Sequence, residues 1–309
     1  MCLYPKLIKN KKYTVNKKNG GQVPPVTDNR VLLVPVGCGK CIECRKQRSR
    51  NWQVRLKEEI KINKNGIFVT LTFKDEELKK LKKECKSLMK LSKVEENEIA
   101  TLAVRRFLER WRKKYKKSIR HWLVTELGHE GTERIHLHGI IFTDKAEEIE
   151  KMWQYGIVWL GKFVNEMTIN YIVKYITKVD IEHRGFEGKV LCSKGIGSNY
   201  VNRENKDYNQ YKGEKTREHY VNRDGSKIAL PTYYRNKIYT DEEREKLWLN
   251  MLDKKERYVC GEKIDISENE DNYYNILEHY RKINKKLGYG DDTKNWSVEE
   301  YIKKRKKLI

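Results

Sequence analysis

Two histidines spaced two residues apart are the first side chains in this sequence that could do chemistry. His136 and His138 lie in a short, mostly apolar run, 134–142 (RIHLHGIIF), which predicts a β-strand. Side chains alternate faces along a strand, so both imidazoles point one way while Leu137 points into the opposite layer. Two adjacent imidazoles are half of a divalent metal site. The alternative is a pair of histidines that hydrogen-bonds at a sheet edge.

A carboxylate lies just upstream, at the end of a second predicted strand. The run 121–126 (HWLVTE) ends at Glu126, and a turn-rich connection, 127–132 (LGHEGT), follows it. If the two strands form a hairpin, Glu126 comes to lie beside the histidine strand. A carboxylate and two imidazoles that leave coordination positions open suit Mg²⁺ or Mn²⁺. The competing interpretation of Glu126 is a solvated residue at a strand end.

The third stretch is a predicted helix at 168–178 (TINYIVKYITK). Aliphatic residues recur on one face with i, i+3, i+4 and i+7 spacing: Ile169, Ile172, Val173 and Ile176. The opposite face repeats that spacing with Tyr171, Lys174, Tyr175 and Lys178. Because the aliphatic face already supplies the core, this pattern predicts two surface phenols, each with an ammonium one turn further on. Simple packing is the alternative role for the tyrosines.

These stretches resemble the three motifs of HUH endonucleases, the rolling-circle replication initiators. The run 68–73 (FVTLTF) resembles the first motif, His136-Leu137-His138 the second, and 171–178 the third in its two-tyrosine form. The sequence is also similar to the replication initiation proteins of gokushovirus-type microviruses, which are small single-stranded DNA phages. That similarity includes Cys38-Gly-Lys-Cys41-Ile-Glu-Cys44, 195–197 (GIG) and 230–237 (LPTYYRNK), and it is weak beyond residue 240.

The resemblance implies an enzyme that nicks and rejoins single-stranded origin DNA, with Tyr171 and Tyr175 as nucleophiles. The expected product is a 5′-phosphotyrosine and a free 3′-OH. That hydroxyl would prime a host polymerase, so the host replication machinery, polymerase and helicase, is the expected partner. The tyrosyl ester would store the bond for religation without ATP.

Other residues would help the phenols react. A free phenol has a pKa near 10 and is a poor nucleophile at neutral pH. A metal on His136, His138 and Glu126 would bind the scissile phosphate and offset its developing charge. Lys174 and Lys178 would lower the phenol pKa or bind phosphate.

The first-motif strand alternates cleanly between its two faces. Val69, Leu71 and Phe73 share one face, and Thr70 and Thr72 share the other, as in a half-buried antiparallel strand. The resemblance implies that the threonine face lies near DNA. A threonine-rich strand face is otherwise unremarkable.

Three cysteines form a knuckle pattern near the N-terminus. Cys38, Cys41 and Cys44 are spaced so that thiolates at i and i+3 can converge on one tetrahedral Zn²⁺. A closed site needs a fourth ligand, and Cys2 is the obvious choice. The pattern favours structural zinc or, alternatively, three reduced thiols on a turn.

Composition points to a polyanionic partner. Lys and Arg total 67 against 44 Asp and Glu, a formal net charge of +23. Nucleic acid is the simplest partner, and a membrane surface is the competing one. In the basic run 45–50, Arg45 and Arg48 are predicted to contact phosphate, unless the run is only a solvated helix turn.

The sequence also bears on the compartment. It has no run of 18 apolar residues and no apolar stretch at the N-terminus, so we expect no membrane span and no secretory signal. Seven cysteines, an odd number with three clustered, are typical of intracellular thiols. We therefore expect a protein of the host cytoplasm.

The order of predicted elements defines an α+β fold with an antiparallel sheet packed on helices. The helix at 100–115 carries a continuous apolar stripe and should pack on the sheet. This order is compatible with the ferredoxin-like, RRM-like core of HUH endonucleases. The predicted division is an N-terminal segment with the knuckle, a nuclease domain and a basic, helix-rich C-terminal region: 1–50, 51–180 and 181–309.

Two other functions remain open from the sequence. One is a plasmid relaxase or transposase of the same superfamily. The other is a non-catalytic nucleic-acid-binding or packaging protein that relies on the knuckle and the positive charge. The sequence has no glycine-rich Lys-Ser/Thr phosphate loop, so it carries no signature of a helicase motor.

Overall fold

The computed structural model describes residues 2–89, 94–128, 133–161, 163–179, 183, 186–202, 204–289 and 296–306. Over this part of the chain the residues divide into two compact units, Ser49–Arg203 and Met1–Arg48 with Glu204–Ile309. This division differs from the predicted one at 1–50, 51–180 and 181–309, because the N-terminal segment and the C-terminal third belong to the same unit.

In chain order the strands are β1 (Lys6–Lys9), β2 (Leu33–Val36), β3 (Gly66–Leu71), β4 (Arg120–Leu127), β5 (Ile135–Phe142), β6 (Val158–Leu160), β7 (Val190–Cys192), β8 (His219–Val221), β9 (Lys227–Ala229), β10 (Glu256–Val259) and β11 (Glu262–Asp265). The helices are α1 (Ile42–Ile62), α2 (Asp75–Met89), α3 (Glu96–Tyr115), α4 (Ala146–Met152), α5 (Glu166–Ile172), α6 (Lys174–Thr177), α7 (Thr232–Ile238), α8 (Asp241–Asp253), α9 (Asp271–Lys286) and α10 (Val298–Lys306).

An antiparallel sheet forms the centre of the 49–203 unit. Among the described residues its strand order is β6-β3-β5-β4-β7, and each neighbouring pair is antiparallel. The predicted hairpin is present as β4 and β5, in which Glu126 lies directly opposite His136. On the other side of β5, Thr70 of β3 lies opposite His138. The predicted α+β class with an antiparallel sheet and helices is confirmed.

One face of the sheet packs on α3. Val69, Leu71 and Leu137 are buried against Phe107 and Trp111 of that helix, as the apolar stripe predicted. Each fully buried Leu or Phe stabilises the fold by about 2 kcal/mol relative to an exposed one. Because side chains alternate, this layer holds the residues that lie between the histidines and beside Thr70, and it leaves the opposite face for chemistry.

The opposite face packs on α1 and on the tyrosine segment. Phe68, Trp122 and Ile140 of the sheet are buried against Leu56 of α1 and against the aliphatic face of α5 and α6. The residues of that face are Ile169, Ile172, Val173 and Ile176. Their burial confirms them as core residues, and it holds the tyrosine face of this segment against the histidine side of the sheet.

Strands β4 and β5 approach each other most closely beside the histidines. A Cβ on Gly139 would lie 2.1 Å from the carbonyl oxygen of Trp122 and 2.8 Å from the Cα of Leu123. Any larger residue would push the two strands apart. Because His138 precedes Gly139, this close approach fixes the position of the second imidazole relative to β4.

The predicted single helix at 168–178 is interrupted, which corrects the sequence prediction. Helix α5 ends before Val173, and the short α6 follows it. The carbonyl of Val173 accepts a hydrogen bond from the Ser49 hydroxyl (3.1 Å) and another from the Ile176 N–H (3.2 Å), an i→i+3 bond of the 3₁₀ type. The tightened turn therefore lies between Tyr171 and Tyr175.

The glycine pair at 195–197 has a structural role. Gly197 has a φ of +71°, and a Cβ there would lie 2.4 Å from the backbone oxygen of Arg55. Its N–H donates to the buried Glu59 carboxylate at 2.7 Å. The segment that follows β7 is thereby held against α1.

The second unit is organised around the cysteine segment. Leu3, Tyr4 and Cys41 are buried with residues of β10, β11 and α9, namely Val259, Ile264, Tyr273 and Leu277. The buried Asn284 of α9 accepts a hydrogen bond from the Ile42 N–H at 2.8 Å. Side chains nearly the whole chain length apart thus form one core, which is why the sequence did not reveal this unit.

In the C-terminal third, the predicted helix that begins at Thr240 is confirmed, with the Thr240 hydroxyl accepting from the Glu243 N–H. The hairpin β10–β11 was not predicted. No helix in the described part of the chain is long and apolar enough to cross a membrane.

Candidate active site

Glu126, His136 and His138 converge on one point at the edge of the β4–β5 hairpin. The Nε2 atoms of His136 and His138 lie 3.2 and 3.0 Å from the same carboxylate oxygen, Oε2 of Glu126. One ligand atom from each of the three side chains lies within 4.8 Å of the other two. The strand register alone produces this arrangement, since Glu126 faces His136 and His138 is the next residue on that face.

The outer nitrogens of both imidazoles are held in place. Nδ1 of His136 lies 3.2 Å from the carbonyl oxygen of Arg134, which can only accept, so Nδ1 is the donor. Nδ1 of His138 lies 3.1 Å from the hydroxyl of Thr70. A neutral imidazole with its proton on Nδ1 presents the Nε2 lone pair, and such outer hydrogen bonds orient metal-binding histidines in proteins.

The Glu126 carboxyl is ionised in this environment. Burial alone would raise its pKa, but hydrogen bonds from His136, His138 and Lys178 outweigh burial and hold the pKa well below its usual range. The ammonium of Lys178 pairs with the other carboxylate oxygen, Oε1. Lys178 therefore has a partner that the sequence did not predict.

This donor set fits a divalent cation. Two imidazole nitrogens and one carboxylate oxygen meet at a partly buried position, with side chains 21%, 11% and 13% exposed for His136, His138 and Glu126. Two lone pairs and a negative charge directed at one point are stabilised by a cation there. The mixed nitrogen and oxygen ligands suit Mn²⁺ or Mg²⁺ in a site with open positions.

Both predicted nucleophiles lie beside this cluster, but in different environments. The ring of Tyr175 stacks on the imidazole of His138, with centroids 4.3 Å apart and planes 6° apart. Its hydroxyl lies 2.7 Å from that of Tyr171. The Tyr171 side chain is exposed by 51%, whereas Tyr175 is half-buried.

The phenol of Tyr175 is the more difficult one to ionise. Burial raises its pKa above the ordinary value, and the hydrogen bond with Tyr171 and the negative charge of Glu126 raise it further. The structure therefore brings the two tyrosines together without making them equivalent. Lys174, by contrast, lies on the exposed side of α6.

The predicted DNA-contacting residues are distributed over the chain. Thr70 lies in the site, against His138. The Thr72 hydroxyl donates to the Ile157 carbonyl (2.9 Å) and accepts from the Ile157 N–H (2.8 Å), so it connects the end of β3 to the segment before β6. Arg45 and Arg48 lie on the part of α1 that belongs to the other unit, where Arg45 donates to the Lys40 carbonyl at 3.1 Å and Arg48 is exposed.

An apolar groove next to the triad was missed at the sequence level. It is lined by Phe68, Trp159, Phe163 and Met167, together with His138 and Tyr171 of the site. A usable signal was present, because Trp159 alternates with Val158 and Leu160 on a short edge strand and so faces away from one of the layers.

The four knuckle cysteines also converge, in the other unit. The Sγ atoms of Cys2 and Cys41 are 3.9 Å apart, those of Cys38 and Cys44 are 4.0 Å apart, and all four lie within 4.8 Å of one another. Backbone N–H groups of Tyr4 and Cys38 donate to the Cys2 sulfur at 3.3 and 3.2 Å. Hydrogen bonding with Cys2 lowers the pKa of the Cys38 thiol and lowers that of Cys41 to about 7. The donor set fits one tetrahedral Zn²⁺.

We expect purified protein to contain about one zinc per chain at this cluster. Cys38→Ser combined with Cys41→Ser should remove that zinc and unfold the surrounding unit, because binding of structural zinc contributes on the order of 10 kcal/mol to folding. Elemental analysis and thermal unfolding measure the two effects. Cys192→Ser, on β7 outside the cluster, is the control and should retain zinc. Unchanged zinc content in the double variant would contradict the assignment.

The fold and site together define an α+β protein with a metal-ligand triad beside two tyrosines. Residues 66–180 match the model of the replication-associated protein ORF2 family. The chain is 27% identical over 236 residues to "Replication-associated protein ORF2" of Spiroplasma virus 4, which covers 64% of this chain and 69% of that protein. No solved structure matches this chain. The matched family region includes the triad and both tyrosines, and these similarities support a replication initiator.

Proposed function

We propose that this protein is a rolling-circle replication initiator that nicks and rejoins single-stranded origin DNA through a 5′-phosphotyrosine intermediate. The observation that carries the proposal is the position of the Tyr171 and Tyr175 hydroxyls, 2.7 Å apart, beside the Glu126–His136–His138 triad. A phenolic nucleophile next to a cation site is the combination that phosphoryl transfer to tyrosine needs.

Tyr171 makes the first attack in this proposal. Its side chain is exposed by 51%, whereas the ring of Tyr175 is stacked on His138. The phenolic oxygen of Tyr171 forms a bond to phosphorus as the bond from phosphorus to the 3′ oxygen breaks. The phenolic proton passes to the hydrogen-bonded Tyr175 oxygen or to water, and the departing 3′ oxygen takes up a proton to become the 3′-OH primer.

The chain's other residues set up that attack. A divalent cation held by Glu126, His136 and His138 would offset the negative charge that develops on the phosphate. Thr70 keeps His138 in its tautomer, and Lys178 keeps Glu126 ionised. Lys174, exposed on α6, is available to contact DNA phosphate.

Tyr175 supplies the second nucleophile. One tyrosine holds the 5′ end while the other cleaves the strand again after copying, and the new 3′-OH then attacks the first phosphotyrosine. That reversal closes the circle and frees the phenol. Because the ester retains the energy of the phosphodiester bond, rejoining needs no ATP.

The wider assignment follows from the same features. The order of the β3 strand, the histidine strand and the tyrosine segment supports an HUH endonuclease with a ferredoxin-like core, related to the initiators of gokushovirus-type microviruses. Its cofactor would be Mg²⁺ or Mn²⁺, and its partners would be the origin single strand and the host polymerase and helicase, in the host cytoplasm. The similarity to replication-associated proteins favours an initiator over a plasmid relaxase or transposase.

Covalent trapping tests the proposal directly. The protein is incubated with Mn²⁺ and a single-stranded oligonucleotide that carries the origin of its own replicon, labelled on the 3′ side of the expected nick. We expect a labelled adduct that survives denaturant and disappears with protease, while EDTA prevents its formation. A non-catalytic DNA-binding or packaging protein would bind the strand but form no adduct, and that outcome would refute the proposal.

A further inference from the structure

A groove of ≈ 570 Å³ opens directly beside the triad, within the 49–203 unit. Phe68, Trp159, Phe163 and Met167 give it apolar walls. The groove shares Thr70, His138 and Tyr171 with the candidate active site. Any molecule in the groove therefore lies next to the phosphate that the triad and Tyr171 would hold.

The walls of the groove are unusually exposed for their chemistry. Phe163, Met167 and Trp159 are exposed by 80%, 75% and 56%. Three large apolar side chains around one concave surface leave apolar area in water, and such patches mark interaction sites. Folding does not require this exposure, because the sheet beneath already packs on α1 and on the aliphatic face of α5 and α6.

The floor of the groove is aromatic and connected to the site. The ring of Phe68 packs edge-on against Trp159 (centroids 5.6 Å apart) and Tyr171 (6.2 Å). It lies nearly parallel to the imidazole of His138, with centroids 6.4 Å apart and planes 23° apart. Flat rings on the floor and walls suit a flat, polarizable ligand better than an aliphatic chain.

We propose that this groove holds an unpaired base of single-stranded DNA, adjacent to the phosphate at the triad, by stacking on Trp159 and Phe163. The proposal rests on the proposed function and specifies its substrate contact. An unpaired base next to a phosphate requires an aromatic surface next to a cation site, which is the observed juxtaposition. The net charge of +23 attracts the strand, and stacking holds the base without regard to its identity.

This assignment predicts a requirement for single strands. A base within a duplex is stacked on its neighbours and paired, so its faces are not available to Trp159 or Phe163. The groove volume of ≈ 570 Å³ lies in the range of sites for small flat molecules. Unpaired DNA should therefore bind in the groove, and duplex DNA should bind only through its phosphates.

Binding can be measured without catalysis. Fluorescence anisotropy in EDTA compares wild type with Trp159→Ala/Phe163→Ala on a labelled oligo(dT) of ~15 nucleotides and on an abasic strand of the same length. We expect the double variant to bind oligo(dT) at least about tenfold more weakly, since a stacked base contributes about 1–3 kcal/mol. The two proteins should bind the abasic strand equally, and Trp159→Phe/Phe163→Tyr should restore oligo(dT) affinity.

Tyr258→Ala is the matched control, since this aromatic is 51% exposed on β10 of the other unit. Unchanged oligo(dT) affinity in Trp159→Ala/Phe163→Ala would overturn the inference, as expected if the groove instead receives a protein. An equal loss on oligo(dT) and on the abasic strand would also overturn it, because the bases would then contribute nothing. A wild-type protein that shows the base-dependent difference but never forms a covalent adduct would refute the nicking function alone.

Discussion

His136→Ala is expected to lower the rate of single-strand nicking by on the order of a thousandfold, because several kcal/mol of charge stabilisation at the phosphate would be lost. The substitution removes one of three ligand atoms that lie within 4.8 Å of one another, and its imidazole is partly exposed, so the sheet beneath should remain folded. Rates of adduct formation with Mn²⁺ measure the effect.

Metal binding provides a second measurement for the same variant. Titration of Mn²⁺, followed by its paramagnetic signal, should show one site in wild type and a much weaker one in His136→Ala. His279→Ala, an exposed histidine on α9 in the other unit, is the control for both measurements. Nicking at the wild-type rate by His136→Ala with metal present would show that the triad does not hold the catalytic cation.

The double substitution Tyr171→Phe/Tyr175→Phe is expected to abolish covalent attachment to DNA completely. The sequence suggested equal units, with each single variant keeping some adduct. The environments in the structure lead us to expect a larger loss in Tyr171→Phe, because Tyr171 is exposed by 51% and Tyr175 is stacked on His138. Phenylalanine keeps both rings in place, so the loss reports the hydroxyls.

Product analysis separates the two roles. Neither single variant should release closed single-stranded circles, because completing the cycle uses both phenols. Tyr155→Phe, which changes a hydroxyl in the layer on the opposite face of the sheet, should behave as wild type. If one single variant forms no adduct and the other completes circles normally, there is only one nucleophile and the alternating scheme is wrong.

Local sequence patterns determined the triad. Glu126, His136 and His138 lie within one hairpin, ten and twelve residues apart, so alternation along two strands and one turn was sufficient to bring them together. The aliphatic spacing of the tyrosine segment likewise identified its buried face. Patterns of this range depend on neighbouring residues alone, and that is why the hairpin and the core face could be predicted.

Non-local packing decided the features that the sequence did not reveal. Strand β7 was hidden in a glycine-rich, polar stretch and exists because it pairs with β4, about 70 residues upstream in this sheet register. Cys2 reaches the other cysteines because β1 pairs with β2, and the surrounding core needs side chains from α9 and the β10–β11 hairpin. Contacts over such separations leave no periodic signal in either partner.

The sequence by itself determined which residues could be ligands and nucleophiles, and the tertiary structure decided how they differ. Identical Tyr-x-x-Lys spacing suggested two equivalent units. The turn at Val173, held by the Ser49 hydroxyl of α1, separates them, and the sheet places His138 under only one of the two rings. Burial and stacking depend on what lies opposite a side chain in space, so two residues with the same local pattern acquire different chemistry.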